Sequence, residues 1–127
     1  MVDLTFISSG EVDEEQALDA YSRAVVTIAE QVSSSVANLR VSRRVRGGRR
    51  LDGAGSAVVI TPDGFTLTSA HVVERTDGTG IASFVDGREL AFDIVGADPL
   101  SDLAVRRLHS DAEPAALGDA EGLRVGQ

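Results

Sequence analysis

The chain has 127 residues, of which 43% are hydrophobic and 25% charged, the balance of one soluble globular domain with room for a core. A formal net charge of −8 disfavours general nucleic-acid binding. The absence of cysteine excludes a disulfide framework and a thiolate metal site, and at 4% aromatic residues the core must rest on Val, Ile, Leu and Ala.

Residues 1–12 read as a flexible N-terminus. They lack the basic start and long apolar run of a secretory signal peptide. No stretch approaches the roughly 20 apolar residues that cross a bilayer. The chain therefore reads as soluble, with no compartment indicated.

A helix is expected over 13–34. Asp13 can cap it and Gln16 stands at the capping-box position. Glu14 and Glu15 favour the positive end of the helix dipole. Ala17, Tyr21, Ala24, Ile28 and Val32 recur at spacings of three and four, which makes one apolar face. That face is expected to pack on the rest of the protein or on a neighbouring subunit. Ser33-Ser34-Ser35 ends the pattern.

Ala37, Leu39 and Val41 alternate with Asn38, Arg40 and Ser42, the signature of a half-buried strand. Arg43-Arg44-Val45-Arg46-Gly47-Gly48-Arg49-Arg50 follows and reads as a flexible, solvated hairpin loop extending to Ala54. An anion contact or self-association with acidic surfaces is the alternative use of its arginines. Gly53-Ala54-Gly55 is no phosphate loop, because a strand and not a helix comes next. Those glycines are expected to let the chain enter the strand close to neighbouring backbone.

The strand Ser56–Thr61, the turn Pro62-Asp63-Gly64 and a second strand from Phe65 lead into Thr68-Ser69-Ala70-His71-Val72-Val73. Here a histidine stands at a strand end, and His71-Val72-Val73-Glu74 can form a short helical turn. Ile81–Val85 and Arg88–Val95 read as a hairpin about Asp86-Gly87. The segment Ala97-Asp98-Pro99-Leu100-Ser101-Asp102 then opens a last strand, Leu103–Leu108. About six strands joined by turns point to an antiparallel barrel, since closure removes exposed edges.

An imidazole and a carboxylate at strand ends are two parts of a serine-protease triad. His71 is the candidate general base. Asp102 is the candidate orienting carboxylate, with Asp98 as its rival. His109 lies in a polar stretch and reads as a solvated loop residue. With two histidines and no cysteine, neither a zinc site nor any cofactor is indicated.

The blocks Gly55–Val73, Asp86-Gly87-Arg88-Glu89 and Val95–Val105, with Leu117-Gly118-Asp119-Ala120 and Leu123–Gly126 after them, resemble HtrA/Deg-type trypsin-like serine proteases over about 35–127. The resemblance implies a mainly β fold: the six-stranded first barrel of the chymotrypsin fold, behind an N-terminal helix. It implies the roles of base for His71 and orienting carboxylate for Asp102. Peptides or unfolded proteins become the expected substrates, and a homo-oligomer a possible assembly. The family's nucleophile sits in Gly-Asn-Ser-Gly-Gly, which no serine here matches. The nucleophile, the oxyanion hole and the second barrel are thus expected to be absent from these 127 residues, and the chain alone to be inactive. The other reading is a non-catalytic single barrel that binds or self-associates.

Overall fold

The computed structural model describes residues 4–74 and 76–127. The chain divides into two units, a helical one up to Val32 and a barrel over Ser33–Gln127.

Helix α1 spans Leu4–Val32. It starts well ahead of the expected Asp13, so Asp13 and Gln16 lie inside it and do not open it. Helical backbone thus begins at Leu4, within the segment 1–12 that was expected to be flexible; the first three residues lie outside the described ones. Gly10 did not stop the helix because one glycine costs only about 1 kcal/mol relative to alanine and no proline is nearby. Asp19 and Arg23, one turn apart, form an ion pair at 2.9 Å. Among the described residues no helix is long and apolar enough to cross a membrane.

A 3₁₀ turn at Ser33–Ser35 leads into six strands: β1 Val36–Arg44, β2 Arg50–Val59, β3 Phe65–Ser69, β4 Thr79–Phe84, β5 Glu89–Asp98 and β6 Leu103–Leu108. A short helix, α2 Ala70–Val73, separates β3 from β4. The strands close in the order β1-β2-β3-β6-β5-β4, and every pairing is antiparallel. The expected six-stranded barrel behind an N-terminal helix is the observed fold.

The expected alternation holds in β1, where Ala37, Leu39 and Val41 are buried. They join Ala57, Val59, Ala82, Phe84, Phe92 and Leu108 in one core. A smaller cluster of Ala70, Val73 and Ala104 sits beside it, and Val72 packs against both.

Two expectations about the arginine segment are corrected. The ladder of β1 and β2 runs out to Arg44↔Arg50, so the connecting loop is only 45–49 and not the long stretch to Ala54. Cross-strand pairing overrode the weak strand preference of Arg and Gly. Gly53 and Gly55 lie inside β2. An added Cβ on Gly53 would meet a Val41 methyl at 3.0 Å, and one on Gly55 two Val72 methyls at 2.7 Å. Side chains, and not neighbouring backbone, are what these glycines admit.

Strict alternation along β6 turns Ala104, Arg106 and Leu108 inward. Arg106 is therefore a barrel-interior residue, 1% exposed. Its guanidinium lies 4.1 Å from the centre of the Phe92 ring, yet Nε, Nη1 and Nη2 have no hydrogen-bond partner. Burial alone pushes its pKa down from 12.5 to about 10, so the group stays charged near neutrality. A buried charge held only by a ring face is a net cost.

Arg106→Leu is accordingly expected to stabilise the barrel in urea by roughly 1–4 kcal/mol, the scale on which apolar residues replace buried ionic groups. A lower urea midpoint would contradict this account of the residue.

Candidate active site

Register places the two candidate residues together. β3 and β6 pair antiparallel with Ser69 opposite Leu103. Continuing that ladder by one step brings Ala70 level with Asp102, and the Ala70 N–H donates to the Asp102 carbonyl at 3.0 Å. The chain then turns into α2, which carries His71 over the Asp102 side chain.

The carboxylate of Asp102 accepts twice from one residue. The His71 backbone N–H donates to Oδ1 at 2.9 Å. Ring Nδ1 lies 2.8 Å from Oδ2 and 3.0 Å from Oδ1. An ionised carboxylate only accepts, so Nδ1 must carry the proton and donate it. In the neutral ring Nε2 is then left unprotonated and basic. The two side chains are 69% and 49% exposed, so the pair sits at the surface of the barrel.

Asp102 has a φ of +57°, and among the described residues no other non-glycine has a positive φ. Aspartate tolerates this left-handed region better than most side chains, and such strain gathers at functional sites. The loop before it is built by the other carboxylate. Asp98 accepts from the Leu100 N–H at 3.0 Å and from the Ser101 hydroxyl at 2.9 Å. Asp98 is therefore the turn-forming residue, and Asp102 is the carboxylate that faces the imidazole.

A cleft of about 330 Å³ opens beside His71, between Val41, Arg43 and Leu51 of the first hairpin and Val72 and Glu74 of the α2 region. A larger groove of about 700 Å³ runs along β1, β2 and β4, past Arg40, Asp52 and Ile81. It is not lined by His71, whereas the smaller cleft is, and the imidazole marks the smaller cleft as the candidate site, with Asp102 behind the ring and outside the cleft lining.

His109 is the exposed loop residue expected, just past the end of β6. Its Nε2 lies 2.6 Å from Asp93 Oδ2. The partner comes from β5, which runs beside β6, a contact that sequence spacing does not display. No group of three or more His, Asp or Glu side chains suited to a metal occurs among the described residues.

The His71 backbone N–H, and next its ring, hold the Asp102 carboxyl below its ordinary value of 3.8. A depressed carboxylate pKa contributes stability that is full above the unfolded value and lost as pH falls through the folded one. Asp102→Asn keeps a residue that tolerates positive φ and removes the charge. Its destabilisation is expected to be largest near neutrality and to vanish at pH values below the lowered pKa, as read from urea midpoints across the acid range. An unchanged difference at the lowest pH would contradict the assignment of that shift to the His71 contact.

The family model for the trypsin-like peptidase domain matches residues 55–127, more than half of the chain. A probable periplasmic serine endoprotease DegP-like of Halomonas elongata is 47% identical over 74 residues, 58% of this chain and 15% of that protein. Serine protease PepD of Mycobacterium tuberculosis is 36% identical over 108 residues, 77% of this chain and 23% of that protein. Among solved structures, the HtrA-type protease AlgW with tripeptide superposes with a TM-score of 0.67 at 34% identity. It covers 76% of this chain and 30% of that one. The chain thus spans less than a third of each of these relatives, and within that span it belongs to the trypsin-like peptidase family, in its HtrA-type branch.

Proposed function

We propose that this chain is the part of an HtrA/DegP-like serine endopeptidase domain that supplies the general base, His71, and its orienting carboxylate, Asp102. The observation that carries the reading is the Asp102 carboxylate bonded to both the backbone N–H and ring Nδ1 of His71. That arrangement fixes the tautomer and the tilt of the ring, leaving Nε2 free to take a proton.

In peptide hydrolysis, Nε2 takes the serine hydroxyl proton as the oxygen attacks the scissile carbonyl. A tetrahedral oxyanion forms. The imidazolium, stabilised by Asp102, then gives its proton to the departing amine, and the C–N bond breaks. Water repeats the sequence on the acyl-enzyme and restores the serine. The proposed substrates are peptides, a reading supported by the AlgW structures with bound tripeptide and decapeptide.

No serine of this sequence lies in Gly-Asn-Ser-Gly-Gly, so the nucleophile and the oxyanion donors are proposed to come from the remainder of the parent protein. Without them nearly all rate enhancement is lost. The 127 residues by themselves are then expected to resist an active-site-directed fluorophosphonate, while the full-length parent is labelled stoichiometrically. In the parent, His71→Ala abolishes labelling, and Asp102→Asn lowers turnover by roughly 10⁴, the loss seen in chymotrypsin-type enzymes. Labelling of the 127-residue chain, or undiminished turnover of the His71→Ala parent, would refute the proposal.

A further inference from the structure

We propose that Gly55 is a positioning residue for the His71–Asp102 pair, acting through Val72. The inference deepens the functional reading above but concerns the geometry of the pair, which can be measured whether or not that reading holds.

β3 covers β2 only from Ala57 to Val59. Two steps past Ala57 toward the β1–β2 hairpin, at Gly55, that register would reach Ala70, where the chain has turned out of β3 into α2. Gly55 stays paired with Leu39 of β1 on its other side. Val72, the residue after His71, comes down onto this stretch.

The fit is close. A Cβ built on Gly55 would lie 2.7 Å from both methyls of Val72 and 3.3 Å from its Cβ. Gly55 has no positive φ, so backbone freedom is not why glycine stands here. Space is. Rotating Val72 would not relieve the clash, since one contact is with its own Cβ and a β-branched side chain is stiff about that bond. The segment carrying Val72 would have to lift.

That segment has little latitude. Val72 packs on the barrel core and on the cluster of Ala70, Val73 and Ala104. Ala70 and His71 are tied to Asp102 by the backbone bonds at 3.0 and 2.9 Å. A displacement of a few tenths of an ångström at Val72 is therefore delivered to its neighbour, and hydrogen bonds between His71 and Asp102 weaken as their geometry departs from linear. The close approach of Val72 to a glycine thus sets the height at which α2 holds the imidazole over the carboxylate.

The test is a size swap read at the His71 amide, whose N–H is bonded to Asp102. In the Ser33–Gln127 barrel within the intact chain, Gly55→Ala is expected to speed hydrogen exchange at that amide by roughly ten- to hundredfold, the range for overpacking one methyl. Val72→Leu, which crowds the contact from the other side, should do the same. Gly55→Ala combined with Val72→Ala should return exchange to near the wild-type rate. A merely structural role would lower global stability without this rescue at His71. Wild-type exchange in the folded Gly55→Ala chain, or no recovery in the double variant, overturns the proposal. If Gly55→Ala alone does not fold, the double variant decides: wild-type exchange at His71 supports the inference, and any other result overturns it. In the full-length parent, the same pair of variants should lose and regain kcat with little change in KM. A parent with no peptidase activity at all would refute the functional reading and leave the exchange result standing.

Discussion

The carboxylate of Asp102 is the fastening on which the site depends. It receives two donors from one residue, the backbone N–H and the Nδ1 of His71, while its own carbonyl receives the Ala70 N–H. These bonds make the end of β3, the α2 turn and the start of β6 one mechanical unit. The left-handed backbone at Asp102 persists because the surrounding bonds over-determine it. Charge adds to this: a hydrogen bond with an ionised acceptor is shorter and roughly twice as strong as one between neutral groups.

The barrel supplies the rest by register. Antiparallel pairing of β3 with β6 sets where the two residues meet, and a slip of one position would turn every inward side chain of either strand outward. The apolar interior resists such a slip, since Ala104 and Leu108 of β6 and Ala57 and Val59 of β2 are all buried. Arg106 works the other way. It keeps the inward phase of β6 but brings a guanidinium without hydrogen-bond partners into the core. Its contact with Phe92 leaves that charge poorly compensated.

Much of this was legible in the residues themselves. The alternation of Ala37, Leu39 and Val41 gave β1, and the strand, turn and strand from Ser56 to Thr68 delivered His71 to a strand end. The blocks around His71 and Asp102, taken together, indicated the family. What escaped the sequence was tertiary. The arginine segment looked like a loop because Arg and Gly are weak strand formers, yet a continuous ladder carries the pairing to Arg44↔Arg50. The pairing of His109 with Asp93 needs two strands to lie side by side. The purpose of Gly55 becomes visible only when Val72 is set against it. Arg106 did have a signal, the period of two through Ala104 and Leu108, but a charged residue at the middle position masks it.

The claim beneath all of this is that the barrel alone holds His71 ready as a base, with its proton on Nδ1 and that proton on Asp102. Nitrogen-detected NMR of the imidazole in the 127-residue chain, recorded where the ring is neutral, tests it directly. The account predicts an Nδ1–H tautomer with a bare Nε2, and loss of that preference in Asp102→Ala. A ring protonated on Nε2, or one that exchanges freely between tautomers, would contradict it.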